Sequence, residues 1–140
     1  MTVRTFVDTN ILVYAEDADA GHKFSRANER VRELWQSGDG VVSIQVLQEL
    51  FVTLTRKLGK PMTHREAKTV VEEYLAWRVV ENNGALLVDA MRLASAAKLS
   101  FWDAMVVQAA LSAGCELLLS EDLQHGRRFG KLRVENPFVG

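Results

Sequence analysis

Val41-Val42-Ser43-Ile44-Gln45-Val46-Leu47-Gln48-Glu49-Leu50-Phe51-Val52-Thr53-Leu54-Thr55-Arg56-Lys57-Leu58-Gly59 contains the change of hydrophobic period on which the fold turns. Val41 to Ser43 is a short β-branched run, which reads as a strand. From Gln45 to Leu58 the period becomes helical: Leu47, Leu50, Phe51, Leu54 and Leu58 form one stripe, and Gly59 is the stop signal. A strand running directly into an amphipathic helix is the unit of an α/β domain with a mainly parallel sheet.

The same alternation continues on both sides. Further strands are predicted at Val3 to Val7, Arg78 to Val80, Glu116 to Leu119 and Leu132 to Val134. Helices are predicted over the charged segment Gly21 to Gly38, from Thr63 toward Trp77 with Glu66 completing a capping box, over Ala85 to Lys98, and from Trp102 to Ala113 before Gly114. The expected architecture is a three-layer α/β/α arrangement around a sheet of four or five strands. Residues 1–140 are expected to form one domain, since 140 residues with 48% hydrophobic and 25% charged content match a single core.

Composition excludes several function classes. Seventeen Lys and Arg against eighteen Asp and Glu give a net charge of -1, so no global positive field is available to hold nucleic acid, and a polyanion must be gripped locally. Cys115 stands alone beside an apolar run and reads as buried rather than catalytic, in a reducing compartment. The N-terminal residues become charged too early for a signal peptide, and the richest apolar stretch, Ala104 to Gly114, is broken by Gln108 and Ser112. A soluble, cytoplasmic protein with no membrane partner is expected. Trp35, Trp77 and Trp102 lie at helical spacing and are expected in the core, with no recognition role.

In open α/β sheets, ligands bind outside the carboxyl ends of the strands. Asp8-Thr9-Asn10 follows the first strand, Ser43 leads to Glu49, Ser120-Glu121-Asp122 follows the fourth strand, and Asp103 opens the helix whose far end feeds that strand. Carboxylates gathered at one edge repel one another and call for a hard divalent cation, Mg²⁺ or Mn²⁺. His22, His64 and His125 are scattered, so no zinc spacing exists. Each acid also has a plain reading. Asp8 reads equally well as the N-cap of a short helix beginning at Asn10; Glu49 points away from its apolar stripe, as a surface glutamate does; Asp103 suits a helix first turn; and Asp122 suits a turn with Ser120.

Four segments in order, Phe6-Val7-Asp8-Thr9-Asn10-Ile11-Leu12, Ser43 to Leu50, Ser100-Phe101-Trp102-Asp103-Ala104 and Leu118 to Leu123, resemble a PIN domain, and within it the VapC-type toxin ribonucleases. The resemblance implies a metal-dependent endoribonuclease with Asp8, Glu49, Asp103 and Asp122 as catalytic, metal-holding acids and with Thr9, Asn10 and Ser120 orienting them. It favours Asp122 over its neighbour Glu121, and it overturns the surface reading of Glu49. It further implies an RNA substrate, a VapB-like antitoxin partner and a homodimer. The segment Gly126 to Arg133 carries Arg127, Arg128, Lys131 and Arg133 on a Gly-hinged loop and is expected to hold RNA beside the acids, the alternative being a loop that merely balances charge. Three rivals are a stand-alone RNA-processing nuclease, a catalytically silent interaction module and a phosphate-accepting receiver-like domain. The last would need an Asp after the third strand and a Lys after the fifth, where Glu81-Asn82-Asn83 and Glu135-Asn136-Pro137 stand.

Overall fold

A computed structural model describes residues 2–139. Six strands, β1 (Thr5–Val7), β2 (Gly40–Ser43), β3 (Arg78–Val80), β4 (Leu117–Leu119), β5 (Arg128–Phe129) and β6 (Leu132–Glu135), form one sheet in the order β3-β2-β1-β4-β6-β5. All neighbours are parallel except β5 with β6. The helices are α1 (Thr9–Glu16), α2 (His22–Ser37), α3 (Ile44–Arg56), α4 (His64–Tyr74), α5 (Gly84–Ala97) and α6 (Phe101–Ser112). They pack as two groups: α1 against α2 and α3, with α3 against α4, and separately α5 against α6.

The strands and helices read from period are present with ends shifted by one to three residues, as fraying allows. Two elements differ in kind. The segment from Gly126 to Arg133 is not a loop throughout: Arg128 and Phe129 pair with Arg133 and Leu132 around a turn at Gly130-Lys131, adding a sixth strand to the expected four or five. Helix α1 begins at Thr9, with Asp8 as its N-cap.

Capping chemistry explains where the helices start. Ser43 accepts from the Val46 N–H to open α3, Asn83 from Leu86 to open α5, and Ser100 from Asp103 to open α6. At α4 the box is reciprocal, the Thr63 hydroxyl accepting from the Glu66 N–H and the Glu66 carboxylate from the Thr63 N–H, and this bond holds the Glu66 carboxyl below its usual range. Thr63→Ala is expected to cost about 1 kcal/mol, the usual loss for an N-cap, seen as a lower urea midpoint with an unchanged slope. Gly38 closes α2 in the left-handed region at φ 78°, where a side chain would be strained.

Phe6, Val7, Val41, Val42, Leu118, Leu119, Leu132 and Val134 fill the sheet's interior, against Ile11 and Leu12 of α1 and Leu50 and Leu54 of α3. A parallel sheet covered by helices buries both faces, which is why its strands are continuous apolar runs. Cys115 is buried, and burial pushes its thiol up to about 12, so it is inert at neutral pH. Trp35, Tyr74 and Trp77 pack with ring centroids 5.0–5.4 Å apart. Trp35 and Trp102 depart from the expected core positions, being 40% and 64% exposed, Trp102 in the first turn of α6.

Candidate metal-dependent active site

The parallel ladder puts Asp8 and Ser120 side by side. Val7 pairs with Leu119, and the Asp8 N–H donates to the Leu119 carbonyl at 2.9 Å, extending the ladder by one rung. Ser120 is fully buried, and its hydroxyl donates to Asp8 Oδ2 at 2.7 Å while accepting from the Asp122 N–H at 3.2 Å. The other Asp8 oxygen accepts from the Thr9 N–H at 2.8 Å. Asp8 is therefore both the cap of α1 and an acid at the strand end; the two readings of this residue describe one side chain.

Burial raises the Asp8 carboxyl from 3.8 to about 6. The bonds from Ser120 and Thr9 oppose the rise, and the nearby Asp122 and Glu49 carboxylates add to it. Glu49, Asp122, Thr9 and Asn10 line a shared cleft of about 400 Å³. Glu49 is solvent-exposed, as its place off the buried stripe of α3 requires, but the solvent it meets is that of the cleft. Its Oε1 accepts from Thr9 Oγ1 at 3.4 Å and from Gln45 Nε2 at 3.3 Å, long contacts that lean it toward α1.

Glu121 and Asp122 have separate fates. The Tyr14 hydroxyl donates to Glu121 at 2.9 Å and the Lys23 ammonium pairs with the same carboxylate, which ties Glu121 to α1 and α2. The Glu121 N–H donates to Asn10 Oδ1, and the buried Asn10 Nδ2 has no partner among the described residues. The Asp122 carboxylate lines the cleft and is exposed, with no hydrogen bond or ion pair to its side chain among the described residues. Neither Tyr14 nor Lys23 had a signal in the sequence, since each lies about a hundred positions from Glu121.

Asp103 is less closely joined. Helix α6 runs back to the start of β4, so its first turn stands at the same sheet edge as Asp8. The Asp103 side chain is half-buried and forms no hydrogen bond or ion pair among the described residues, and it lies outside the lining of the cleft. Among the described residues, no three Asp, Glu, His or Cys side chains converge as a ready coordination set. The chemistry of the donors nonetheless fits a hard divalent cation: they are all carboxylates, the charges of Asp122 and Glu49 oppose ionisation of Asp8, and those two are exposed and free to turn toward the fixed Asp8. His64 packs on Phe51, and His125 accepts the Asn136 N–H, so neither joins the acids.

The cations expected beside the acids do not share one place. Arg127 donates to the Ala97 carbonyl at 2.7 Å and lies over the Phe129 ring, closing the end of α5. Arg128 and Lys131 are exposed. Arg133 pairs with Leu117, so Lys131 stands four residues below the level of Leu119, roughly 13 Å toward the opposite edge of the sheet. The expectation of a basic loop flanking the acids gives way to a hairpin whose tip points away, because β5 runs antiparallel to its neighbour.

No helix among the described residues is long and apolar enough to cross a membrane. No curated protein matches the sequence significantly. Among solved structures, the chain is similar to the Mycobacterium tuberculosis toxin VapC20, described as cleaving the sarcin-ricin loop, with TM-score 0.64 and 24% identity over 84% of this chain and 89% of that one. A toxin-antitoxin complex from Klebsiella pneumoniae gives TM-score 0.70 and 16% identity over 95% and 97%. DNA-bound VapBC from Salmonella typhimurium gives 0.65 and 18% over 97% and 99%. At these identities the likeness is one of fold, and it agrees with a sequence match to the PIN domain over residues 5–130, so the chain belongs to the PIN domain family.

Proposed function

We propose that residues 1–140 act as one Mg²⁺- or Mn²⁺-dependent endoribonuclease, the toxin of a toxin-antitoxin pair. The observation that carries this reading is the buried Asp8 carboxylate, hydrogen-bonded on both oxygens and electrostatically coupled to Glu49 and Asp122 at the carboxyl edge of a parallel sheet. Asp8, Glu49, Asp122 and Asp103 would hold the ion. When bound, such an ion stabilises the charge that builds on a phosphate attacked by water. Ser120 fixes Asp8 and, through the Asp122 N–H, the loop that presents Asp122; Thr9 orients Asp8 and Glu49; and Asn10 holds the Glu121 backbone. Arg128 and Lys131 would meet RNA running past the outer strand, while Arg127 shapes their hairpin.

Two partners go with this reading. The Klebsiella and Salmonella structures are assemblies with antitoxins, which supports an antitoxin here. Leu87, Val88 and Met91, exposed on one face of α5, would serve a homodimer. A cytoplasmic location accords with both. A groove between α3 and α4, lined by Leu47, Phe51, Val71 and Leu75, favours a second reading, a silent module that acts only by binding its partner.

Incubating the purified chain with a pool of structured RNAs in Mg²⁺, Mn²⁺ or EDTA separates the two. Cleavage in either metal, abolished by EDTA and by Asp103→Asn, is the expected result. A folded chain that leaves every RNA intact in both metals overturns the ribonuclease and leaves the binding module.

A further inference from the structure

The cleft that starts at the acids continues away from them between α1 and α3. Its α3 wall presents Glu49, Thr53 and Lys57, three residues at i, i+4 spacing and therefore on one face. Its α1 wall presents Asn10, Val13 and Tyr14, with Asp17 just past the helix end. Lys57 is exposed and is the one cation lining the cleft among the described residues, none of whose carboxylates is within ion-pair distance of it. A cation at a helix end also complements the macrodipole, but Arg56 already serves there, and that role does not require a residue facing the cleft.

Eight residues of helical rise put Lys57 about 12 Å along the axis from Glu49. An ion at the acids would take the phosphate being cut, and the far end of the same cleft offers an ammonium, a compact point charge suited to phosphate oxygens. The span is too long for both groups to grip one phosphate. A cleft of about 400 Å³ takes a short piece of extended strand and not a helix. We propose that Lys57 is a substrate-binding residue that holds a backbone phosphate flanking the cleaved one, so that the groove between α1 and α3 is the track for a single-stranded RNA segment. This inference rests on the ribonuclease reading.

The test uses a fluorescein-labelled single-stranded RNA of mixed sequence, with anisotropy read on the full chain carrying Asp8→Asn so that the probe is not cut. Lys57→Ala added to this chain is expected to weaken binding several-fold and to lower the slope of log K against log salt by about 0.7, the value for one phosphate contact on a single strand. Lys57→Arg should restore both. Lys60→Ala, which removes the same charge from an exposed site outside the cleft, should match the parent. In the cutting enzyme, Lys57→Ala should raise KM with little change in kcat, since the contact is made equally before and during reaction.

Equal affinity and slope for the Lys57→Ala and Lys60→Ala chains overturns the assignment while leaving the nuclease standing. RNA neither bound nor cut by the parent chains overturns the nuclease reading and this inference with it.

Discussion

Asp8→Asn is expected to lower RNA cleavage by about 10³-fold or more while making the metal-free protein more stable at pH 7. The loss follows if Asp8 is the fixed member of the ion-holding set, because several kcal/mol of transition-state stabilisation would leave with the ion. The gain in stability has a different source. Burial raises the Asp8 carboxyl from 3.8 to about 6, so the folded chain holds a proton there over a range in which the unfolded chain has released it. The stability contributed by the protonated acid is complete below about pH 4, is lost as pH rises through about 6, and stays lost above it. At 1.36 kcal/mol for each pH unit the burden at pH 7 is on the order of 2 to 3 kcal/mol.

Asparagine removes that burden and can still accept the Thr9 N–H, but it offers Ser120 a poorer partner, so a net gain of about 1 to 2 kcal/mol remains. Thermal unfolding in EDTA should therefore show the variant melting several degrees above the wild type at pH 7, with the difference gone at pH 4. Adding Mg²⁺ should reverse the order, since a ligand of the native state stabilises only a chain that binds it. A variant less stable than wild type at pH 7 without metal would mean that the Asp8 charge is already compensated in the fold. A variant that still cuts RNA would remove Asp8 from the chemistry.

The parts of this fold that could be read from sequence are those in which local period and tertiary burial agree. The stripe of Leu47, Leu50 and Leu54 is buried as its spacing requires, and the short apolar runs became strands because helices cover both faces of a parallel sheet. The strand β5 is not legible in the sequence for the opposite reason. Arg128-Phe129 is two residues long among glycines and cations, and only pairing with Leu132 and Arg133 makes it a strand. That antiparallel turn then decides where the cations point, and a reading of charge along the chain has no access to direction.

The site divides in the same way. The adjacency of Asp8 and Ser120 follows from the rule that parallel strands end at one edge, and the structure places them in direct contact. What distinguishes Glu121 from Asp122 in the structure is the hold of Tyr14 and Lys23 on Glu121, which spans α1, α2 and the turn after β4. Lys57 had a legible signal, its place two helical turns beyond Glu49 on the same face. Until α1 is known to form the other wall, however, that face is indistinguishable from ordinary surface.

Gly40→Ala is expected to destabilise the protein by about 2 kcal/mol or more, although alanine ordinarily improves on glycine in a regular element. Glycine gives up more backbone freedom on folding than any other residue, so with open space above it the exchange should stabilise by several tenths of a kcal/mol. The space is not open: a Cβ at position 40 would lie 2.6 Å from two carbons of the Trp77 ring, inside any real contact distance. The ring has little room to withdraw, with Trp35 at 5.2 Å and Tyr74 at 5.0 Å across its edges, and β2 is held in register by its pairing with both Thr5 of β1 and Arg78 of β3. Overpacking of this kind costs about 1 to 3 kcal/mol.

Urea denaturation fixes the sign, and a double-mutant cycle fixes the cause. Trp77→Leu alone should destabilise by loss of the half-buried ring, but in its presence Gly40→Ala should become neutral or stabilising, a coupling of about 2 kcal/mol between contacting residues. Additive effects would show that the ring is not what position 40 meets. A stabilising Gly40→Ala in the wild-type background would show that Trp77 swings aside, loosening the aromatic group that packs α2 and the end of α4 against the strand leading to Glu49.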